Sequence, residues 1–418
     1  MAKVLIIGSG AREHAIARAF QQSPKVMAVY AAPGNDGMRR EGIMTLPIVE
    51  TDFSSLIVAA QKYQIDLTFV GGEVPLVNGI VDAFTAAGLL IFGPKKAAAQ
   101  LEGSKAFMKK ILLDHQIPTA QARTVTSLAA AQAAVQALGY PIVIKTDALA
   151  AGKGVTIHRD AQETAKFLAA CYQRQEEMTL VIEEYLSGFE FSLFSLVGRN
   201  QIVHAPLAHD YKRRYDHDQG LNTGGMGAYS PVPEINSATL ELTIRTLVMP
   251  TLAALQEMNT PFSGVLYTGV MLTASGPKVI EYNVRLGDPE TQVVLPQLTS
   301  DFYDLISGLV TGQKVTPQWQ TEKSFVGVVL TDPDYPQGVS GNYLLPDLGT
   351  DVLVDYTHSA QGQQTLLSHG GRVATVVSSG VNKKEARQTI YQTLQAADLP
   401  LAYRHDIAQT ISEVTYEK

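Results

Sequence analysis

Lys145-Thr146-Asp147-Ala148-Leu149-Ala150-Ala151-Gly152-Lys153-Gly154-Val155 lies between two short apolar runs, residues 142–145 and 155–158. Both runs have strand length and β-branched residues, so the pattern is strand, small-residue loop, strand. The phosphate loop of strand–loop–helix nucleotide hydrolases has a helix after its glycines and a Lys-Ser or Lys-Thr pair, and this stretch has neither. A glycine hairpin with a lysine at its base suits a flexible cover over a triphosphate. Lys145 would neutralise phosphate charge, and the N–H groups of Ala151, Gly152, Lys153 and Gly154 would cradle oxygens. A purely structural hairpin has no need of two lysines.

Downstream, the run from Lys278 to Glu290 reads Lys-Val-Ile-Glu-Tyr-Asn-Val-Arg-Leu-Gly-Asp-Pro-Glu. Glu281 and Asn283 are two apart on a strand and project from one face. A carboxylate with an amide oxygen is hard-donor chemistry, suited to magnesium on nucleotide phosphates. Arg285 continues that face if the strand does, and suits charge on a transferring phosphoryl group. Val181-Ile182-Glu183-Glu184-Tyr185-Leu186, followed by Glu190, is a strand ending in acids. It offers backbone groups to an adenine edge and a carboxylate to ribose hydroxyls, although acids at a strand end are commonly a solvated edge. Residues 205–233 show little periodicity and read as a long functional loop. Within them, Asp210-Tyr211-Lys212-Arg213-Arg214 and Asn222-Thr223-Gly224-Gly225-Met226-Gly227-Ala228 suit an anionic substrate, or else a solvated basic loop.

Upstream, strand patterns at residues 3–7, 26–31, 66–70 and 89–92 alternate with helical patterns at 11–22, 54–63 and 77–87. This alternation indicates a doubly wound parallel sheet with ligands at the strands' C-terminal ends. The first such turn, Gly8-Ser9-Gly10-Ala11-Arg12-Glu13-His14, is not a complete dinucleotide fingerprint, because Glu13 stands where the third glycine would be. A sugar phosphate or another small anion fits it better than NAD. Gly93-Pro94 marks a break, and strand and helix signals resume over 104–158, 161–196, 240–283 and 324–396.

The chain has 418 residues, too many for one ordinary core, and a formal net charge of −7, which argues against nonspecific nucleic-acid binding. The single cysteine, Cys171, rules out an intrachain disulfide and a thiolate metal cluster and reads as a small hydrophobe on a helix. The N-terminus lacks the features of a signal peptide, and no apolar stretch reads as a membrane span, so a cytoplasmic protein is expected.

Taken in order, the strings GSGAREHA, APGN, LEGSKAFMK, AAGKGV, VIEEYLSG, NTGGMGAYSP and EYNVRLGDPETQ, with GGRV at 370–373, resemble the ATP-grasp superfamily. More closely, they resemble its phosphoribosylamine–glycine ligase family. The resemblance implies an α/β and α+β multidomain chain. Residues 1–102 would form a doubly wound, Rossmann-like substrate domain. Residues 103–293 would form an ATP-grasp domain with a nucleotide-covering part at 120–190, and residues 294–418 a small C-terminal α/β domain. It implies a ligase that joins glycine to 5-phosphoribosylamine with ATP through a glycyl phosphate, in purine synthesis. Alternatives are another ATP-grasp carboxylate–amine ligase or a non-catalytic nucleotide-binding regulator.

By matching position, Lys105, Lys145 and residues 150–155 would contact the ATP phosphates. Glu183, Tyr185 and Leu186 would hold adenine, and Glu190 the ribose. Glu281 and Asn283 would bind magnesium or manganese. Gly10, Asn35, Glu73, Lys212 and Gly225 would bind substrate. Arg285 would serve glycine or the moving phosphoryl group, acting with Lys145 and Lys105. The implied partners are small molecules only, with no nucleic acid or membrane, and the implied state is a monomer or weak homodimer. The chain departs from the family pattern at Gly72, Ala148, residues 172–178 and Tyr211.

Overall fold

The computed structural model describes residues 1–149, 154–345, 347–357, 359–361, 366–368 and 370–409. Its first sheet is parallel and five-stranded, in the spatial order Met44–Thr45, Val26–Pro33, Ala2–Gly8, Leu67–Val70, Ile91–Phe92. Val4, Leu5, Ile6 and Ile7 are all fully buried. Alternate residues of this strand face opposite sides, so an unbroken apolar run is what a sheet covered by helices on both faces needs. Ile16 and Phe20 cover one side, and Leu56, Ile80 and Phe84 the other.

The helix expected over 77–87 is instead two helices, Glu73–Asn78 and Ile80–Ala86. Gly79 between them has φ +96°, a conformation that costs glycine little and ends the first helix. The earlier start places Glu73 in a first helical turn, directly beyond the strand Leu67–Val70.

A second sheet runs Ala122–Val125, Leu180–Glu184, Ile142–Thr146, Val155–His158, all antiparallel. The helices Leu128–Leu138 and Ala161–Arg174 cover it, and the half-buried Cys171 packs into their shared core. The first of these helices carries no strong sequence pattern, being mostly alanine. Good helix formers and the Ser127 side chain, which accepts the Ala130 N–H, hold it. A third sheet runs Ile202–His204, Phe189–Val197, Gly264–Thr273, Gly276–Asn283.

Residues 205–233 are not one irregular loop. They contain a hairpin, Arg213–Tyr215 with Gln219–Asn222, and two strands, His209–Asp210 and Gly227–Ser230. Those strands join Ser324–Thr331, Arg372–Gly380 and Leu353–Tyr356 in a five-stranded sheet. Tertiary pairing supplies the partners that so short a polar strand needs, which is why local periodicity missed them.

A long helical segment spans residues 237–257. Its 21 residues form one run that by length and composition alone could cross a membrane. A π-helical turn, Ile244–Val248, sits in it just before Pro250, which lacks an N–H to give to the preceding turn. Leu247, Val248, Thr251 and Leu255 are fully buried, and Tyr282 Oη donates to Leu247 O at 3.0 Å, so one face belongs to the core.

The first and last thirds of the chain are joined by polar contacts. His14 Nδ1 accepts the Tyr356 N–H at 3.0 Å, and His14 Nε2 lies 3.2 Å from Glu41. Arg18 bridges Glu41 and Asp355, at 3.1 and 3.0 Å.

Candidate active site

Three helices, a strand and the quoted hairpin converge on one cleft, open to solvent, with about 620 Å³ of free space. The first helix beyond Leu67–Val70 brings Glu73. The end of helix Lys96–Gly103 brings Glu102, and the start of helix Lys105–Asp114 brings Lys105. The strand Gly276–Asn283 and its continuation bring Glu281, Asn283 and Arg285. Lys145 comes from the first strand of the quoted hairpin, and Gly154 directly precedes its second strand. Seven residues expected at the site (Glu73, Lys105, Lys145, Gly154, Glu281, Asn283 and Arg285) therefore line the same space. Ala151, Gly152 and Lys153 lie outside the described residues, as does Ala150.

The positions of Glu281 and Asn283 follow from strand geometry. The partner strand has an irregularity between Gly269 and Val270, and Gly269 lies opposite Glu281. A Cβ on Gly269 would come within 3.1 Å of Glu281 Cγ, so the glycine leaves room for the acid. Burial favours the neutral acid, but Lys212, Lys145 and Arg285 together hold the Glu281 carboxyl below its ordinary value. Lys212 Nζ is 3.4 Å from Glu281 and also pairs with Glu190. Among the described residues, Asn283 Oδ1 receives only a 3.3 Å contact from Arg285 Nη2, which leaves it capacity for another partner.

Lys145 Nζ lies 3.0 Å from Glu183 Oε2 and donates to Ile280 O at 3.0 Å. Lys109 Nζ reaches the other oxygen of Glu183 at 3.1 Å. Glu183 is thus a buried carboxylate between two ammonium groups, and its side chain does not line the cleft. Burial would raise its pKa, and Lys145 and Lys109 outweigh this and lower it. Burial pushes Lys109 down to about 8, against the pull of Glu183. Lys105 Nζ donates to Ala148 O at 2.7 Å, and burial lowers its pKa as well. Tyr185 is exposed, and Leu186 is half-buried beside it.

At the other end, Arg285 Nε faces Glu73 Oε2 at 3.4 Å, and Nη2 faces Glu102 Oε1 at 2.9 Å. Burial opposes ionisation of Glu73, but Arg285 and Arg12 bring its pKa down to about 2. Burial pushes Glu102 up to about 7, against the pull of Arg285.

The glycine turn after the first strand is filled by the protein itself. Glu13 Oε2 accepts the Gly10 N–H at 2.6 Å, and a Cβ on Gly8, Gly10 or Gly71 would come within 2.5, 2.7 or 2.3 Å of the Glu13 side chain. The Glu13 side chain thus fills the hollow of this turn from the position where a dinucleotide fingerprint has its third glycine. Asn35 donates to Ser9 O and Tyr356 O, both at 2.8 Å, and accepts the Met38 N–H, so its side chain is used internally.

Gly225 stands at φ +107°, and a Cβ there would fall 2.4 Å from Pro289 Cδ and 3.1 Å from Asp288 O. Arg372 clamps this contact. It donates to Asp288 O at 2.9 Å and Asp288 Oδ2 at 2.8 Å, and it also bonds Gly224 O. Gly225→Ala is expected to cost about 1–3 kcal/mol through strain and overlap, measured as a lowered thermal midpoint. An unchanged midpoint would mean that the loop is not pinned.

The sequence reading missed Glu102, Lys109, Arg12, Glu13, Asp288 and Arg372 as site-building residues. The strings LEGSK and GDPETQ contain two of them, but nothing local says what those acids touch. Two further acids, the half-buried Asp210 and the buried Glu290, lie near Lys212. Burial, then the Glu290 charge, pushes Asp210 well up. Burial likewise raises Glu290.

The chain matches three models of one family, Phosphoribosylglycinamide synthetase: the N domain over residues 2–102, the ATP-grasp (A) domain over 103–291 and the C domain over 325–410. The chain belongs to the phosphoribosylglycinamide synthetase family. It is 45% identical to the phosphoribosylamine–glycine ligase of Lactococcus lactis over 407 residues, covering 97% of this chain and 98% of that protein. It is 44% identical to the enzyme of that name from Halalkalibacterium halodurans, covering 97% and 96%. The crystal structure of the phosphoribosylamine–glycine ligase of Thermotoga maritima superposes with a TM-score of 0.82 at 32% identity, covering 97% of this chain and 100% of that one. Biotin carboxylase from Campylobacter jejuni superposes at 0.73 with 14% identity, covering 96% and 92%, a likeness of fold alone. The synthetase family's ATP-grasp architecture, with ATP as co-substrate and a divalent metal, agrees with the cleft described above.

Proposed function

We propose that this cleft joins the carboxylate of glycine to the amine of 5-phosphoribosylamine, converting ATP to ADP and phosphate and yielding glycinamide ribonucleotide. The chain is an ATP-dependent carbon–nitrogen ligase of purine synthesis. The observation that carries this reading is continuity. Glu73, at the strand ends of the first sheet, meets Arg285, and Arg285 meets Asn283 beside Glu281, Lys105 and Lys145.

A carboxylate is a poor acylating group. One glycine carboxylate oxygen attacks the γ-phosphorus, and ADP leaves. The amine then attacks the acyl carbon, phosphate leaves, and the amine's proton departs with it or to solvent. Lys105, Lys145 and Gly154, which line the cleft, are assigned to the phosphates, with Ala151, Gly152 and Lys153 assigned to cover them and exclude water. The segment Glu183, Tyr185 and Leu186 is assigned to adenine, chiefly through main chain because the Glu183 carboxylate is already paired, and Glu190 to the ribose. Glu73, Lys212, Gly225 and Arg285, with the Gly10 and Asn35 loops behind them, are assigned to the amine-bearing substrate and glycine.

Glu281 and Asn283 fit a hard divalent cation, Mg²⁺ or Mn²⁺. One is held ionised, the other has a free lone pair, and both are oxygen donors on one strand face. Such an ion, when bound, neutralises phosphate charge. We read the chain as three domains, 1–102, 103–293 and 294–418, in a cytoplasmic monomer or weak homodimer that acts on small molecules.

The test is ADP release by the purified protein with ATP, magnesium and freshly generated phosphoribosylamine, with and without glycine. Release is expected only when both co-substrates are present. ATP binding without such release would reject this acceptor pair and favour a different carboxylate–amine ligase or a nucleotide-binding regulator.

A further inference from the structure

Glu102 lies on the last turn of Lys96–Gly103, three residues before Lys105, and its side chain is 6% exposed. Its Oε2 accepts the Val284 N–H at 2.7 Å, and its Oε1 lies 2.9 Å from Arg285 Nη2. Both neighbours are donors, and both directly follow the strand that carries Glu281 and Asn283. Glu73 approaches the same guanidinium less closely, as an ion pair at 3.4 Å from Nε, and among the described residues that buried N–H has no hydrogen-bond acceptor. Arg285 is therefore held at its two Nη atoms, by Glu102 at 2.9 Å and by Asn283 Oδ1 and Leu286 O at 3.3 Å each, and its Nε keeps only the looser ion pair with Glu73. A buried donor without a partner costs free energy, and such a cost persists where a ligand uses the group.

We propose that Glu102 is a positioning residue of the ligase reaction, one carboxylate oxygen holding Arg285 and the other the Val284 N–H, so that the Nε edge and Glu73 remain available to the substrate. The inference rests on the ligase reading above. Only a carboxylate can accept from both neighbours. A glutamine has one acceptor oxygen, so its NH₂ must face either Val284 N–H or the guanidinium, donor against donor. Glu102→Gln thus keeps shape and volume while loosening one hold on the strand end.

The experiment measures kcat for release requiring glycine and 5-phosphoribosylamine, and equilibrium ATP binding, in wild type, Glu102→Gln, Arg285→Ala and the double variant. Glu102→Gln is expected to lower kcat by about tenfold to a hundredfold, to leave ATP affinity unchanged, and to add no further loss in the Arg285→Ala background. That non-additivity is the signature of action through Arg285, and a purely structural role would multiply the two losses. Wild-type kcat in Glu102→Gln, or multiplying losses, would overturn the proposal. If Glu102→Gln does not fold, the same comparison uses Glu102→Asp, which keeps both oxygens on a shorter stem. Reduced kcat without added loss in Arg285→Ala then supports the role, and wild-type kcat overturns it. A wild-type protein without the two-substrate release would remove the ligase reading itself, a result distinct from either.

Discussion

Replacing Glu281 with alanine is expected to lower glycine-dependent ADP release by about a hundredfold to a thousandfold with little change in folding. The carboxylate serves two partners at once. It is the charged half of the proposed metal pair with Asn283, and it holds Lys212 at 3.4 Å. Its ionised form survives in a half-buried place only because Lys212, Lys145 and Arg285 surround it. Removing the acid leaves those cations repelling one another across the cleft. Lys212 keeps Glu190, and the side chain is 35% exposed, so the fold loses little. Release rates and a thermal melt, measured together, decide the matter. A Glu281→Ala protein that turns over within tenfold of wild type would remove this residue from the metal assignment.

Glu183→Gln should act in the opposite way, on stability first. Lys109, Lys145 and Glu183 have side chains only 1%, 5% and 4% exposed. Taking the charge from the central partner leaves two buried ammonium groups uncompensated, a change that costs about 3–5 kcal/mol. Lys109→Met should cost less, because Glu183 keeps Lys145 and the methionine fills most of the volume. Reversal of that order would mean the lysines, not the acid, organise the cluster.

The pH dependence has a definite sign. The folded pKa of Glu183 is below its unfolded value, so its contribution is present above the ordinary carboxylate range. It is lost as pH falls through the lowered folded value. Acid titration of wild type and Glu183→Gln should therefore converge at low pH. Hydrogen exchange in the sheet holding Leu180–Glu184 is a suitable readout, because a chain of several domains need not unfold in one step.

Much of the molecule was legible before any tertiary contact was known. The run from Val4 to Ile7 announces a strand buried on both faces, and 142–145 with 155–158 announces the hairpin, because a strand pattern is a local property of consecutive side chains. Residues 77–87 misled because apolar spacing continues through Gly79, whereas the backbone turns at it. Residues 205–233 misled because their short strands are stabilised by partners at 324–331 and 372–380. Within the site, the strings that lined the cleft were visible, but their internal pairings were not. Glu183 read as an acid at a strand end free for a nucleotide, whereas its carboxylate faces two lysines from separate elements.

The sequence by itself determined the order of elements, the facing of Glu281 and Asn283, and the lysines of the hairpin, since a period of two or of 3.6 is set within a few residues. The tertiary structure alone decided which acid holds which base. Glu102 meets Val284 across 182 positions, and Arg372 meets Gly224 across 148. Such pairs depend on how separately formed elements pack, and a buried charge accepts whichever opposite partner packing brings within reach.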